Sequence, residues 1–409
     1  MSHPDTIPTD PVAAATHADP YDYYAALAAD RPFHRDPELG VHVACGAAAV
    51  EGVLNHPACR VRPAAEPIAA ALFGSPAAEI FRHLARMNDG AAHHALKPAL
   101  TATLDALDTD VVRAAAERAA RRLAARIGKQ SDAGELTRFA FALPAHVIGA
   151  LLGVEEDDLR AVTRDVGELA RCIFPGGTAD EIEAGKLAAA RLQDRFRALL
   201  ARNDAETLLA GLAERLRDRG EDAIVANAIG LLVQAHDATA GLIGNTLLAL
   251  AREPELRRRV GDDPRRLRAV VAEVLRRDPP IQNTRRFVGE PVSLPGAELA
   301  PGDVVLVLLA AANRDPGPRA DAAAFDSTRA DPRDFAFGAG PHACPARSLA
   351  TEIAVTGVAR LLEIGIDPER LDPSPPYRRS ANARIPLLRW RRAPSIEHED
   401  GTARIGCPR

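Results

Sequence analysis

The sequence predicts a mostly helical, single-domain protein with small β-sheets, and three observations support this fold class. Hydrophobic residues make up 47% of the 409 residues and charged residues 26%, as in ordinary folded proteins. Leu, Val and Ala recur at three- and four-residue spacing over long segments, which indicates amphipathic helices. No sequence repeat and no linker rich in glycine or proline divides these segments. We therefore expect one domain at 18–392, between a flexible segment (1–17) and a polar tail (393–409).

Charge and cysteine content exclude several classes of protein. A formal net charge of -5 argues against a nucleic-acid binder, which normally carries a basic domain. The five cysteines form no Cys-x-x-Cys pair, which disfavours a disulfide framework or a structural zinc site and favours a reducing compartment. The N-terminus shows no signal-peptide pattern, and the longest apolar stretches (223–235 and 304–312) fall short of the ~18 to 20 residues of a membrane span. We expect a cytoplasmic protein with neither nucleic acid nor membrane as a partner.

Helical periodicity is strongest in the middle of the chain. Breakers separate the periodic segments, among them Pro175-Gly176-Gly177 and Asp218-Arg219-Gly220. The last of these helices should end at Asp278, because a residue that precedes proline is displaced from the helical region. The predicted helices span 91–127, 135–152, 156–172, 179–201, 204–217, 222–251 and 264–277. Short strands are predicted at Val41–Ala44 and within 284–308, where Gly296 and Pro301-Gly302 make turns.

One cysteine lies in an unusual loop, Phe335-Ala-Phe-Gly-Ala-Gly-Pro-His-Ala-Cys344-Pro-Ala-Arg-Ser-Leu-Ala350. Its glycines and first proline enforce a tight turn, and Pro345 suits the first position of a helix that should run to about Leu362. The positive end of that helix favours a thiolate at Cys344. A lone thiolate without neighbouring metal ligands suits a single axial bond to haem iron.

Two other interpretations of this loop remain open from the residues alone. Cys344 fits equally well as a small buried hydrophobic residue, as most single cysteines do. The run Gly338-Ala-Gly-Pro-His-Ala343 fits a dinucleotide fingerprint, provided that Asp334–Phe337 forms the strand of a βαβ unit.

The motif Phe337-Gly-Ala-Gly340-Pro-His342-Ala-Cys344 resembles the haem-binding signature of the cytochrome P450 superfamily, bacterial soluble type. The resemblance implies a haem b cofactor that lies between the long central helix and the cysteine-loop helix. It also implies that Cys344 is the proximal ligand of the iron, that Phe337 packs near the sulfur, and that His342 is a basic partner of a haem propionate. Ala346 occupies a position where the family usually has glycine, and its methyl group is expected to shift the following helix slightly.

Further motifs follow the same family in order, over about residues 18 to 390. Glu273 and Arg276 match its glutamate–arginine motif, and Arg329 falls where the third member of that buried scaffold lies. Taken alone, a Glu/Arg pair three residues apart is more often a surface pair on a helix.

Three residues fall where the family binds the haem propionates. The first is Arg286. A guanidinium suits this role because it can bind a carboxylate through two parallel hydrogen bonds. His93 and Lys97 are the others, one helical turn apart, with lysine where the family more often has arginine. Without the resemblance, we would interpret Arg286 as a solvent-facing strand residue. We would assign His93 and Lys97 to the exposed face of a surface helix.

The central helix departs from the family pattern at its acid–threonine pair. Asp237 keeps the acid, but Ala238 stands where threonine is usual. Thr239 is the next residue and is rotated by roughly 100° around the helix relative to position 238. Gln234 lies four residues before Ala238 on the same face. We interpret Gln234 as a hydrogen-bonding group for bound oxygen or substrate, with a plain pocket wall as the alternative. A substrate hydroxyl is a second way to replace the missing threonine.

These features predict a haem-thiolate monooxygenase or related oxidase that acts on a small organic molecule in specialised metabolism. Asp237 would organise proton delivery. No nicotinamide or flavin fingerprint is convincing, so electrons should come from a ferredoxin-type donor and its reductase, for which Arg347 offers a docking charge. The altered central helix leaves coupling, desaturation or peroxide-driven oxidation as an alternative. A haem-binding protein without turnover that docks a carrier protein, and a substrate presented on such a carrier, also remain open.

Overall fold

The computed structural model describes residues 7–391 apart from 64, 65, 67, 129–130, 174–176, 203, 316–323 and 330–333. The described chain is mainly helical with two small sheets, which confirms the predicted fold class. The predicted tail at 393–409 and the breaker residues Pro175 and Gly176 lie outside the described residues, as do the first six residues of the predicted N-terminal segment. No helix in the described ranges is both long and apolar enough to cross a membrane.

Fourteen α-helices are described, and most of the predicted ones are among them. Three predictions agree with the structure to within two residues at both ends, the central helix 222–251 and the helices 135–152 and 179–201. The helices are α1 (Tyr21–Asp30), α2 (Ala47–Asn55), α3 (Pro76–His83), α4 (Gly90–Asp105), α5 (Thr109–Ala124), α6 (Ala133–Leu151), α7 (Leu159–Ile173), α8 (Ala179–Arg202), α9 (Leu208–Arg215), α10 (Glu221–Arg252), α11 (Pro254–Asp262), α12 (Leu267–Arg277), α13 (Leu309–Ala312) and α14 (Arg347–Glu363).

The prediction of one helix over 91–127 is wrong, because the chain forms α4 and α5 there. Asp108 ends the run: its side chain accepts a hydrogen bond from the Asp110 amide at 2.7 Å and so caps the start of α5. The predicted helix at 204–217 is shorter in the structure, since Thr207 caps α9 through the Ala210 amide at 3.2 Å. α12 ends at Arg277, as the two prolines after Asp278 predict.

Seven short strands are described, and they form the two sheets. The larger sheet has the order β1-β2-β7-β4-β3, with only β2 and β7 parallel, and β5 pairs with β6 in a hairpin that turns at Gly296. The predicted strand Val41–Ala44 and the predicted strands within 284–308 are therefore confirmed. The strands are β1 (Phe33–Asp36), β2 (Val41–Ala44), β3 (Cys59–Arg60), β4 (Thr284–Val288), β5 (Val292–Leu294), β6 (Ala297–Leu299) and β7 (Val304–Val307).

Helix α10 runs through the middle of the hydrophobic core. Between Ala223 and Leu248 all of its residues are buried except four. These four are Leu231, Gln234, Ala235 and Ala238. Their spacing of i, i+3, i+4 and i+7 places them on one face of the helix, which therefore borders an open space inside the protein. We call this face the α10 stripe.

The helix after the cysteine loop begins later than predicted. α14 starts at Arg347 and not at Pro345, and Ala346 caps it with φ -94° and ψ 19°. Because φ is negative, alanine adopts this conformation without the strain that would require glycine. The helix ends at Glu363, one residue beyond the predicted Leu362.

Candidate active site around Cys344

Two glycines with positive φ shape the cysteine loop. Gly338 has φ 69° and Gly340 has φ 67°, a region that residues with a Cβ atom rarely adopt. A Cβ atom at residue 340 would also lie 2.7 Å from Asn55 Oδ1 and 2.8 Å from the Leu54 carbonyl oxygen, so this part of the loop lies directly against α2. The Cys344 amide donates to the Phe337 carbonyl at 2.8 Å and closes the loop. The Cys344 side chain is exposed.

This geometry excludes both other interpretations of the loop. Cys344 is not a buried hydrophobic residue, whereas Cys45, Cys59 and Cys172 are buried. The dinucleotide fingerprint is wrong as well, because Asp334–Phe337 forms a turn and no strand. Residues Gly340–His342 form a short 3-10 turn in place of the long helix that a phosphate would need.

Two cations predicted to bind propionates lie on α4 and β4. The Lys97 ammonium of α4 donates a hydrogen bond to the Ala343 carbonyl oxygen. Arg286 of β4 is only 6% exposed, and its Nη1 donates to its neighbour's carbonyl at 2.9 Å and to Thr284 Oγ1 at 3.4 Å. Burial lowers the pKa of both groups; the charge of Cys344 acts in the opposite direction on Lys97, and that of Asp89 does so on Arg286. Arg286 is thus a buried guanidinium whose hydrogen-bond partners are neutral.

Two histidines from different elements pack against each other near Lys97. The rings of His93 and His342 lie 4.1 Å apart, and His93 is 4% exposed. Burial, together with the charges of His342 and Lys97, lowers the pKa of His93 to about 4, so its imidazole is neutral at pH 7. Its Nε2 atom is buried and has no hydrogen-bond partner among the described residues.

The structure gives His342 a partner in the protein itself. Its Nε2 lies 3.1 Å from Asp89 Oδ1, just before α4. Burial tends to raise the pKa of Asp89, but the hydrogen bonds from His342 and from the Val61 amide together lower it below its usual value. An ionised Asp89 therefore orients His342 within the site.

Helix α10 carries the predicted oxygen-binding residues. Ala238 and Gln234 belong to the α10 stripe, whereas Thr239 is 1% exposed and its hydroxyl has no hydrogen-bond partner among the described residues. Thr239 thus points into the core, as its rotation around the helix predicts. Gln234 Nε2 donates to the Gly230 carbonyl at 2.8 Å, so the amide oxygen remains available as an acceptor.

Asp237 is buried and held by two neighbours. His236 Nδ1 lies 2.8 Å from its Oδ1, and the Arg378 guanidinium donates to its Oδ2. Burial tends to raise the pKa of Asp237, but the hydrogen bond from His236 and the charge of Arg378 lower it overall, so the carboxylate is ionised. The His236 ring in turn packs 4.9 Å from the Phe141 ring.

The predicted scaffold residues lie together in the core. Arg276 Nε donates to Glu273 Oε2 at 2.9 Å and its Nη2 to Oε1 at 2.6 Å, with the two residues 3% and 2% exposed. The alternative of a surface pair is therefore wrong. Arg329 Nε lies 4.0 Å from Glu273 Oε2, which completes a buried group of three. The Asp326 amide also donates to Glu273 at 2.9 Å.

The side chains around Cys344 fit an iron porphyrin with two carboxylates. Cys344 offers one exposed thiol, which suits a single axial bond to iron. Lys97 and Arg286 supply positive charge for two carboxylates. His93 has an unpartnered buried nitrogen that one of these carboxylates would satisfy.

Comparison with known proteins identifies the family. The cytochrome P450 family model matches residues 212–363. Cytochrome P450 BJ-1 of Bradyrhizobium diazoefficiens is 30% identical over 378 residues, which is 86% of this chain and 89% of that protein. The structure of CalO2 matches with a TM-score of 0.81 at 25% identity and covers 94% of this chain and 99% of that one. P450BioI, solved with an acyl carrier protein bearing hexadec-9Z-enoic acid, matches with a TM-score of 0.79 at 23% identity and covers 91% and 98%.

The fold and the matches define a haem-dependent oxidoreductase. The chain belongs to the cytochrome P450 family and is an oxidoreductase of the monooxygenase type. Membership of this family implies a haem-iron cofactor, a small-molecule substrate and a redox partner.

Several residues at the site are not apparent from the sequence. Arg378 contacts Asp237 although the two residues lie more than a hundred positions apart in the sequence. Asp89, which contacts His342, is likewise not singled out as a site residue by the sequence. Arg347, interpreted above as a docking charge, donates hydrogen bonds of 2.9 and 3.2 Å to the two carboxylate oxygens of Asp334. Arg347 also lies over the Phe337 ring, 4.4 Å from its centroid.

Proposed function

We propose that this protein is a haem b monooxygenase that oxidises a small organic molecule in specialised metabolism, with Cys344 as the axial ligand of the iron. The observation that carries the proposal is the exposed Cys344 thiol at the end of a loop that its own amide closes on the Phe337 carbonyl, with the Lys97 ammonium bonded to the Ala343 carbonyl of that loop. Lys97, Arg286 and His93 would hold the propionates, with His342 oriented by Asp89. We expect this reaction to take place in the cytoplasm, with electrons from a ferredoxin and its reductase.

The bound haem iron would supply the activation of dioxygen. The residues that the chain contributes to this step lie on α10 and on the segment that carries Arg378. Asp237 organises proton delivery, and His236 and Arg378 fix the direction of its carboxylate. Gln234 offers its amide oxygen as the hydrogen-bond acceptor that Ala238 lacks. Glu273, Arg276 and Arg329 act as a scaffold, and Phe337 and Ala346 shape the loop and helix start around the thiol.

Absorption spectroscopy tests the ligand assignment. Haem-supplemented protein, reduced under carbon monoxide, should show the red-shifted band of thiolate ligation, and Cys344→Ala should abolish it while the far-ultraviolet circular dichroism stays unchanged. Cys172→Ala, which removes a buried thiol from α7, is the matched control and should keep the band. A wild-type protein without the band, or a Cys344→Ala variant that retains it, contradicts the proposal.

A second candidate reaction is oxidation without hydroxylation, such as coupling or desaturation. Ala238 favours it, because the residue usual for proton delivery is missing while Thr239 points into the core. Product analysis with a reconstituted electron-transfer chain distinguishes these outcomes from a protein without turnover. A substrate presented on a carrier protein remains an alternative, supported by the fold shared with P450BioI.

A further inference from the structure

An ion pair joins the two ends of the segment that carries Cys344. Asp334 lies just before this segment, and Arg347 is the first residue of α14, just after it. The Arg347 guanidinium donates to Oδ2 of Asp334 at 2.9 Å and to Oδ1 at 3.2 Å, so the pair is bidentate. We call this pair the loop clasp. It closes residues 335–346 into a ring through two side chains.

The carboxylate of the loop clasp is buried. The Asp334 side chain is 4% exposed, whereas that of Arg347 is 49% exposed. Asp334 Oδ1 also accepts a hydrogen bond from the Ala336 amide at 3.0 Å. Without the guanidinium, that amide would be the remaining donor to the carboxylate among the described residues, and a buried carboxylate with too few donors is destabilised. The loop clasp therefore differs from the usual exposed ion pair, which contributes little.

The same guanidinium covers the ring of Phe337. Its carbon Cζ lies 4.4 Å from the ring centroid, a distance at which a cation is attracted to the face of an aromatic ring. The Phe337 carbonyl oxygen in turn accepts the hydrogen bond from the Cys344 amide at 2.8 Å. Arg347 thus holds Phe337 from outside the loop, and Phe337 holds the cysteine from within it.

The start of the segment has an anchor of its own. The Phe335 amide donates to Oδ1 of Asn313, which is 6% exposed. Asn313 Nδ2 donates to the Leu275 carbonyl of α12 at 3.3 Å. The loop clasp therefore ties the first residue of α14 to a point that α12 already fixes.

We propose that Asp334 and Arg347 are positioning residues for the Cys344 thiol, and that their pair holds it in place for the iron. When the pair is lost, Phe337 is no longer held and the hydrogen bond that closes the loop weakens, so the thiol samples several positions. This inference rests on the proposed haem site and adds two residues to it. The competing role of Arg347 is the docking charge for an electron donor.

Hydrogen exchange of the full-length protein tests the loop clasp without any activity. In Asp334→Asn and in Arg347→Gln, the Cys344 amide should exchange about 5- to 20-fold faster, as expected for the loss of one charge-assisted pair. Arg347→Lys should show the same change, because lysine keeps the charge but lacks the planar fork. The double variant should exchange no faster than either single variant, since both remove one shared interaction.

Haem spectroscopy and haem retention test the positioning role. In haem-loaded protein reduced under carbon monoxide, the three single variants should lose part of the thiolate band to a band at shorter wavelength. Haem should also pass to apomyoglobin about 5- to 20-fold faster. Asp334→Asn makes the surface more positive and Arg347→Gln makes it less positive. A docking role therefore predicts opposite changes in affinity for an acidic ferredoxin with an unchanged band, whereas the loop clasp predicts the same loss in both.

Arg360→Gln is the matched control, since Arg360 lies near the other end of α14 and pairs with Glu363 at 2.8 Å. It should match the wild type in exchange, band and haem retention. Clasp variants that keep the band and the haem as the wild type does contradict the inference, even if their loop exchanges faster. So does an Arg347→Lys variant that behaves as the wild type. Failure of the proposed function is seen separately, as a wild-type protein without the thiolate band.

Discussion

Gln234 illustrates how neighbours on a helix determine the orientation of one side chain. Its Nε2 bonds to the Gly230 carbonyl one turn earlier, which fixes the side chain along the α10 stripe. The Oε1 atom is the only acceptor that the stripe's side chains offer, because the other three members are Leu231, Ala235 and Ala238. Loss of this single acceptor should therefore be measurable.

Gln234→Met keeps the bulk of the side chain and removes the amide. With a ferredoxin and its reductase as electron donors, we expect the fraction of NADPH electrons recovered as hydrogen peroxide to rise about 2- to 10-fold, the effect of one neutral hydrogen bond of about 0.5–1.5 kcal/mol. Leu231→Met, on the same stripe, is the control and should change this fraction little. An unchanged peroxide fraction in Gln234→Met would show that the amide takes no part.

At the scale of residues, sequence motifs predict interactions between groups that lie close together in the sequence. Glu273 and Arg276 are three residues apart on one helix, and the structure joins them as the motif implies. Arg378 could not be predicted in this way. Its importance depends on which distant group it approaches, and only the folded chain brings it to Asp237.

The cysteine loop owes its shape to elements on both sides. Gly340 lies against the end of α2, where no Cβ atom fits, and Lys97 of α4 bonds to the loop carbonyl at Ala343. The loop then leads into α14 through Ala346. The position of Cys344 is thus fixed by helices from both ends of the chain.

Gly340→Ala should displace the loop from α2. The variant combines a φ of 67° with contacts of 2.7 and 2.8 Å, and we expect the free energy of unfolding to fall by at least about 1–2 kcal/mol. Gly261→Ala is the control, since a Cβ atom there meets nothing within 4 Å, and it should leave stability unchanged or raise it by up to about 1 kcal/mol. Denaturant unfolding measures both. Equal stability of the two variants would show that the loop tolerates the shift.

At the scale of elements, periodicity predicts that a segment is helical better than it predicts where a helix ends. The run 91–127 has helical spacing throughout, and the break at Asp108 depends on a cap that competes with continued helix. The start of α14 was misplaced by two residues for a related reason. The Cys344 amide bonds back to Phe337, so the loop continues past the proline.

One arginine joins distant parts of the whole molecule. Arg384 is fully buried; its Nε donates to Asp278 Oδ1 at 2.8 Å, and its Nη atoms donate to the carbonyls of His17 and Ala18. The N-terminal segment, the end of α12 and the C-terminal segment therefore meet at a single guanidinium. Tyr21 adds a hydrogen bond from its hydroxyl to Asp278.

Arg384→Gln should loosen all three segments together. The change leaves the Asp278 carboxylate short of its buried partner, which costs about 3–5 kcal/mol of the free energy of unfolding. Hydrogen exchange should speed up in 13–30 as well as near residue 278. Arg389→Gln alters an exposed arginine of the same segment and should stay within about 0.5 kcal/mol of the wild type. Faster exchange at residue 384 alone would show that the three segments are held independently.

The contacts around Cys344 also determine when the protein can acquire its cofactor. Lys97 and His93 are synthesised about 250 residues before the thiol. Since the ribosome adds ~5–20 residues per second, the early half of the site waits many seconds for the late half. Stable capture of haem therefore requires synthesis past Cys344, and a nascent chain arrested before that residue holds the basic groups but lacks the sulfur proposed to retain the iron.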